Sequence, residues 1–515
     1  MIKRISLLMS LLAAFVGLYA EEVPALIIGG GTKVALANIV SVKVDADNLY
    51  VLQADGTTLT NPLATLTFGT VDSGAGISER IADKGPSSYI VYDLNGRQVK
   101  QGTAQDAKTM MSGLEAGTYI IRMGEQSFKV QTQGGGVSNA WQPLSYKSTY
   151  TAAAADDDDD TPEVTEPAVL FELSGIDAMT TIAMLDSFTL GTDLATLNVK
   201  RNGQTSSFAI ADIQQISFPM SQAHVSLQYG ANSVEGVNPF YFDGVAITCE
   251  GAGVTVNSAY TADEVEFQLS GASSNGFFKY YGDKKFQTTL MGLTLTNPVG
   301  PVINGQTGKK CTIKSQRGYT NTLSDGSEYA TSVEDQKGCI FSEGQIIFNG
   351  KGTLNILSNY KHAIASDDYV SFENGNVSVL TSVGDAVHAN DSVLILSGNV
   401  SLTCSGDGID CEYGTVFVRE GENGAPTLTI NSDGDGAKGI KAAGDFQMSA
   451  GTVNITMTGN KKVENGNSSN VIGIKVDGNV VITGGTVNIV NTCSGGKYIK
   501  ADGTITIGSD ATVNY

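Results

Sequence analysis

The chain has 515 residues, 61 of them glycine, with only 17% charged and a single Trp. A net charge of −21 argues against nucleic acid or an anionic membrane as a direct partner, because both need a basic surface; it permits a cation-dependent one. Helix-forming patterns are scarce while Val, Ile, Thr and Gly dominate, as strands and turns require, and the length leaves room for several domains and a large core.

Lys3 and Arg4 precede an apolar run from Ile5 to Tyr19 that closes at Ala20, before Glu21 and Glu22. The pattern predicts a signal peptide over 1–20 and an exported chain, whether extracellular, surface-bound or periplasmic. Leu18 stands where a second small residue is usual, so export is better defined than the cut. No cysteine follows it, so no lipoprotein anchor is expected. No other apolar stretch is long enough to span a bilayer, so no membrane insertion is expected.

Residues 21–132 read as small β-modules. Leu49 to Thr58, ending at Leu66–Phe68, carries a strand, an Asp55-Gly56 turn and further strands. The same pattern recurs from Leu197 to Thr205, ending at Ile216–Phe218, and predicts a second small β-meander over 168–220. Tyr89 to Arg97, Gly113 to Arg122 and Phe128 to Val130 lie between them. This stretch resembles the small β-sandwich sorting tail of type nine secretion. Such tails sit at a C-terminus and this one is internal, so the expectation is a structural β-module and no export route is carried over. Residues 133–167 read as a disordered linker: Gly134–Gly136, Ala152–Ala155, Asp156–Asp160, Pro162 and Pro167 cannot build a core. The exposed Asp run is expected to repel itself rather than bind cations.

From about 225 to 515 one phrase repeats. Gly352-Thr-Leu-Asn-Ile356 recurs with starts at 375, 398, 426, 451 and 485, separated by 23, 23, 28, 25 and 34 residues. A second phrase follows each copy: Ala363-Ile364-Ala365, Ala386-Val387-His388, Gly408-Ile409-Asp410, Gly439-Ile440-Lys441, Gly473-Ile474-Lys475 and Tyr498-Ile499-Lys500. Alternating apolar residues and glycine turns at a recurring period predict an all-β coil of short strands. Each coil buries its apolar face only against its neighbours, which is a right-handed parallel β-helix. The alternation places Ile340, Ile364, Val387, Ile409, Ile440, Ile474 and Ile499 in one inward stack. The residues just after them should point out: Phe341, Ala365, His388, Asp410, Lys441, Lys475 and Lys500. An acidic column follows at Glu343, Asp367, Asn390, Glu412, Asp477 and Asp502.

The candidate chemistry lies on this face. Asp385, Asp407, Asp433 and Asp435 sit at Gly-Asp turns, and carboxylates with turn carbonyls are the donors calcium takes. Such an ion could bridge to a uronate while Lys441 and Lys475 pair with the next one. The bland alternative is that Gly-Asp is turn chemistry and the lysines a solvated face. His388, one of three histidines, stands beside Asp410 as a candidate ligand contact or an ordinary exposed side chain. Six scattered cysteines with no CxxC motif read as buried free thiols, with Cys311–Cys339 as the alternative disulfide.

Gly384 to Ala389, Gly406 to Asp410 and the Gly-Thr-Val-Asn-Ile phrases, within a span from about 231 to 515, resemble the bacterial carbohydrate-binding right-handed parallel β-helix proteins with a polysaccharide-lyase-like fold. The resemblance implies acidic or cellulose-like glycan ligands and calcium on the helix surface. Three function classes follow: a monomeric, non-catalytic polysaccharide binder, a pectate-lyase-like enzyme with a Lys base and calcium, and a structural surface adhesin. The lyase is weakened because the coil's arginines, Arg317 and Arg419, fall off the Lys ladder. A polygalacturonase-like hydrolase is disfavoured because its clustered Asp-Asp, Gly-His-Gly and Arg-x-Lys pattern is absent. Trp141, the sole tryptophan, lies outside the coil, which leaves Tyr360, Tyr369, Tyr413 and Tyr498 to stack on sugars or cover coil edges.

Overall fold

A computed structural model describes residues 22–29, 31–44, 48–62, 64–72, a set of strands between 87 and 143, and 165–515 apart from 263. The stretch over 1–20 expected to be a signal peptide, Trp141 and the Asp156–Asp160 run lie outside the described residues. The described structure is all-β, interrupted only by 3-10 turns such as Tyr241–Asp243, and it contains no helix long and apolar enough to cross a membrane.

The chain divides into two units, residues 1–36 with 69–161, and residues 37–68 with 162–515. In the first, Glu22–Ile28 and Thr32–Ala35 form a hairpin with Leu26 opposite Val34. Ser87–Asp93, Gln98–Ala104, Gly117–Met123 and Gln126–Gln133 make an antiparallel sheet. In the second unit, the two meanders that the sequence places apart join in one six-stranded sheet, where Phe188 on Leu185–Leu190 pairs with Val42 on Ile39–Val44.

The second meander also meets the coil. Ile176–Thr181 pairs in parallel with Val234–Asn238, which leads into the first coil strands. Phe171, Phe188, Phe208, Tyr241 and Phe242 pack ring against ring across this junction. Arg201 clamps it with a two-pronged bond to Asp243 at 2.7 and 3.0 Å.

Beyond this cap each sequence repeat gives one strand to each of three parallel ladders. The first contains Gly338–Ser342, His362–Ser366, Val387–Ala389, Ile409–Cys411, Lys438–Ala442, Ile472–Val476 and Lys497–Ala501. The second runs from Cys311–Ser315 through Ile346–Gly350, Tyr369–Phe372, Ser392–Ile395, Thr415–Val418 and Phe446–Met448. The third holds the Gly-Thr-Val-Asn-Ile phrases, from Thr353–Ser358 to Ile505–Asn514. Its turn glycines are needed for two reasons at Gly398: φ is 75°, and an added Cβ would lie 2.3 Å from the Gly375 carbonyl one coil back. The long 34-residue spacing is an exposed hairpin, Lys462–Glu464 with Asn467–Ser469, inserted between two coils.

The register of the first ladder places Ile340, Ile364, Val387, Ile409, Ile440, Ile474 and Ile499 in a single column, fully buried except at the half-buried Ile499. Fully burying each such side chain is worth about 1.5–3 kcal/mol, so the column is a principal source of stability. All six cysteines are free thiols, and Cys311 and Cys339 are buried in separate ladders.

Two residues expected to point outward to solvent are covered instead: Phe341 and Ala365 are completely buried. Lys337 lies over Phe341, and Ala365 stands in register between Phe341 and His388. Glu334 receives bonds from Lys279 and Tyr281, and Lys337 sits 5.8 Å from the Phe341 ring while its ammonium bonds Asp367. An insertion folded back on the coil face is invisible to a strand-alternation argument, which assumes solvent outside.

Candidate functional site

The first ladder carries two outward columns. In the coils before the last, two consecutive residues face the interior: a Cβ added at Gly439 would meet Ile455 at 2.5 Å, and the next residue, Ile440, is buried. The residues on either side of that inward pair therefore turn out together. One column is Ala365, His388, Asp410, Lys441, Lys475 and Lys500, paired coil to coil in register. The other is His362, Asp385, Asp407 and Lys438. Backbone bonds set its order: Ala363 N–H donates to the Asp385 carbonyl, Ala386 to Asp407 and Gly408 to Lys438.

The middle of this surface is acidic. The backbone N–H of Asp407 donates to Asp385 Oδ1 at 2.6 Å, and that of Lys438 donates to Asp407 Oδ1 at 2.7 Å. Burial, with Asp385 alongside, pushes the Asp407 carboxyl up to about 6. Asp410 is 9% exposed. Burial opposes its charge, but His388 and Lys441 outweigh that and hold it below the ordinary carboxylate value. Lys441 Nζ lies 2.9 Å from Asp410 Oδ2 and 4.0 Å from Asp407 Oδ2. Burial would lower Lys441, yet the same carboxylates raise it, so it stays a cation.

The histidines sit against this acidic centre. The His362 and His388 rings stack at 4.7 Å and 15°. His362 Nδ1 accepts the Asp385 backbone N–H at 3.2 Å and lies 3.2 Å from Asp385 Oδ2. His388 Nδ1 stands 3.9 Å from Asp385 Oδ2 and 3.8 Å from Asp410 Oδ2, while Nε2 is 3.7 Å from Glu412. Asp410, then Asp385 and Glu412, raise His388 against the lowering effect of burial.

The remaining expected site residues are placed as follows. Lys475 pairs with Asp477 at 2.8 Å and Lys500 with Asp502 at 3.0 Å, so the lysine ladder is neutralised coil by coil by the acidic column beside it. Asp433 and Asp435 are exposed and tie their turn to the neighbouring coils. The Ser405 hydroxyl donates to Asp433, and the Asn460 backbone and side-chain amides donate to Asp435. Among the described residues, the group whose ligand atoms come within 4.8 Å of one another is His362, Asp385 and His388, not the four aspartates. Tyr360 leans on Tyr329 and Tyr498 on Tyr515, and both remain exposed, as Tyr413 does. His362 and Lys438 are the members that the sequence reading left out. Both stand two residues before the inward Ile, at the position Asp385 and Asp407 hold, so the coil-to-coil repeat, not the strand alternation, carried the signal.

A solved structure described as a polysaccharide lyase-like protein from C. thermocellum is similar to this chain. The identity is 20% and the TM-score 0.40, over 57% of this chain and 100% of that one. No curated protein matches. The model of the family of carbohydrate-binding domain-containing proteins matches residues 241–513, more than half of the sequence, and the chain belongs to that family.

Proposed function

We propose that this is a secreted, non-catalytic polysaccharide-binding protein. Its C-terminal region is a right-handed parallel β-helix, and an extended glycan lies along the two outward columns. The observation that carries this reading is the register: His388, Asp410, Lys441, Lys475 and Lys500 recur one coil apart. Strand spacing of about 4.8 Å gives an extended chain a hydrogen-bonding group at every coil. Paired Asp and Lys side chains suit sugar hydroxyls, which both donate and accept. Carbohydrate as the ligand class is supported by the family.

Calcium belongs to the same proposal, with the Asp385 and Asp407 carboxylates as its oxygen donors, while Asp433 and Asp435, bonded to Ser405 and Asn460, add negative charge nearby rather than ligands. Its support is donor type and charge. Burial, with Asp385 alongside, makes the Asp407 carboxylate costly to ionise, and a divalent cation offsets that cost. With calcium as the bridge the ligand is an acidic chain; without it, a cellulose-like one.

The electrostatics argue against cleavage. A lyase base must be a neutral amine, and Lys441 is held as a cation by Asp410 and Asp407 while Lys475 is bound to Asp477. Arg419 lies over Phe417 on another ladder. Lys438 is the lysine of this site that burial pushes down, but its ammonium is directed at the Gly436 carbonyl and the Ser469 hydroxyl. The test is migration of the full chain through gels containing polygalacturonate or a soluble cellulose derivative, with and without a chelator. Retardation by neither substrate would favour the structural adhesin.

A further inference from the structure

We infer that His362, Asp385 and His388 form a binding site for a transition-metal dication of the zinc class, distinct in donor chemistry from the calcium proposed above and competing with it for Asp385. The inference does not rest on polysaccharide binding. Each residue offers one ligand atom, and all three atoms lie within 4.8 Å of one another. Asp385 Oδ2 is 3.2 Å from His362 Nδ1 and 3.9 Å from His388 Nδ1. Tetrahedral zinc, with bonds of about 2.0–2.2 Å, holds its ligand atoms roughly 3.3–3.5 Å apart, so the cluster closes around an ion with small side-chain shifts.

The chemistry of the donors selects the metal. Two imidazoles and one carboxylate suit zinc, copper or nickel, whereas calcium takes oxygen ligands. The stacked rings bring both Nδ1 atoms to the Asp385 carboxylate. His362 Nδ1 accepts the Asp385 backbone N–H, so its lone pair already points into the cluster as a metal would require. That bond is the one the ion displaces.

A second, independent observation points to a missing partner. His388 Nδ1 and Asp410 Oδ1 are buried and lack any hydrogen-bond partner. Orphaned buried polar atoms cost stability, and a bound ion with its water would give both of these a partner. A metal on His388 Nδ1 satisfies the first, and the free Asp410 oxygen is placed to accept from a metal-bound water. Glu412, 3.7 Å from His388 Nε2, then orients the ring from behind, as outer carboxylates do around ligating histidines.

The experiment is calorimetric titration of zinc chloride into the full chain after chelator treatment, in buffer containing millimolar calcium, repeated with cobalt(II) to read the ligand-field spectrum. The expected result is one saturable zinc site that calcium does not displace, a tetrahedral-type cobalt spectrum, and at least tenfold weaker binding in H362Q and in H388Q. H224Q, remote from the cluster, serves as the control and keeps the wild-type affinity. Should the two cluster variants fold poorly, the wild-type melt decides: zinc raises the midpoint in the presence of calcium. Absence of saturable binding, displacement by calcium, an octahedral oxygen-type spectrum, or unchanged affinity in both folded variants overturns the inference.

Discussion

Ile409 is sealed between Val387 and Ile440 in the inward column, with no exposed surface. Ile409→Asp places an unpaired charge there and is expected to cost more than about 4 kcal/mol in chemical denaturation. Loss of less than about 1 kcal/mol would mean the column is not sealed. Asp325 is a different kind of buried group. Its carboxylate accepts the Tyr329 hydroxyl at 2.6 Å and the Ser358 hydroxyl at 3.1 Å, while burial raises it above 3.8. The folded state therefore holds this proton more tightly than the unfolded state. Its contribution is fully present below pH 3.8 and is lost as pH rises through the raised value. The stability of the wild type relative to Asp325→Asn should fall as pH climbs from about 4 toward neutrality, measured by melts at stepped pH. A difference independent of pH would contradict this assignment.

The strands explain how far the sequence could be read. Within the repeats, alternation places Leu354, Val377, Val400, Leu428, Val453 and Val487 in one column and Ile356, Val379, Leu402, Ile430, Ile455 and Ile489 in another, and the pairing puts them there. That works because each coil repeats the same contact. It fails where a non-repeating segment intervenes. The strap ending at Lys337 buries Phe341, and nothing periodic in its residues announces that it folds back. The site was half legible for a related reason. The column after the inward Ile gave His388, Asp410 and the lysines, but a single strand period suggests one outward residue, and the double inward step that exposes His362 and Lys438 lies outside it. Ion pairing within a coil, Lys475 to Asp477 and Lys500 to Asp502, depends on side-chain reach and turns an expected cationic stripe into a mixed one.

A stack of coils leaves its first rung open unless something covers it. Here the second meander does so, through the pairing of Ile176–Thr181 with Val234–Asn238, the aromatic cluster and the Arg201–Asp243 bond. A 168–515 fragment should therefore melt well above a 225–515 fragment. Equal melting would show that the coil needs no cap. The function proposed for the stack depends on many weak contacts along its length, so single substitutions should each cost little while several together abolish binding. Lysine contacts should weaken with salt and calcium-bridged ones should vanish with a chelator. The most direct measurement is titration of polygalacturonate and a soluble cellulose derivative into the full chain and into the triple variant K441A/K475A/K500A, with the ultraviolet absorbance of the mixture followed throughout. Saturable binding by the wild type, loss in the triple variant and no rise in absorbance are the predicted results. Binding unchanged in the triple variant would place the ligand elsewhere. Growing absorbance from unsaturated products would make the protein a lyase, with Lys438 the first candidate for its base.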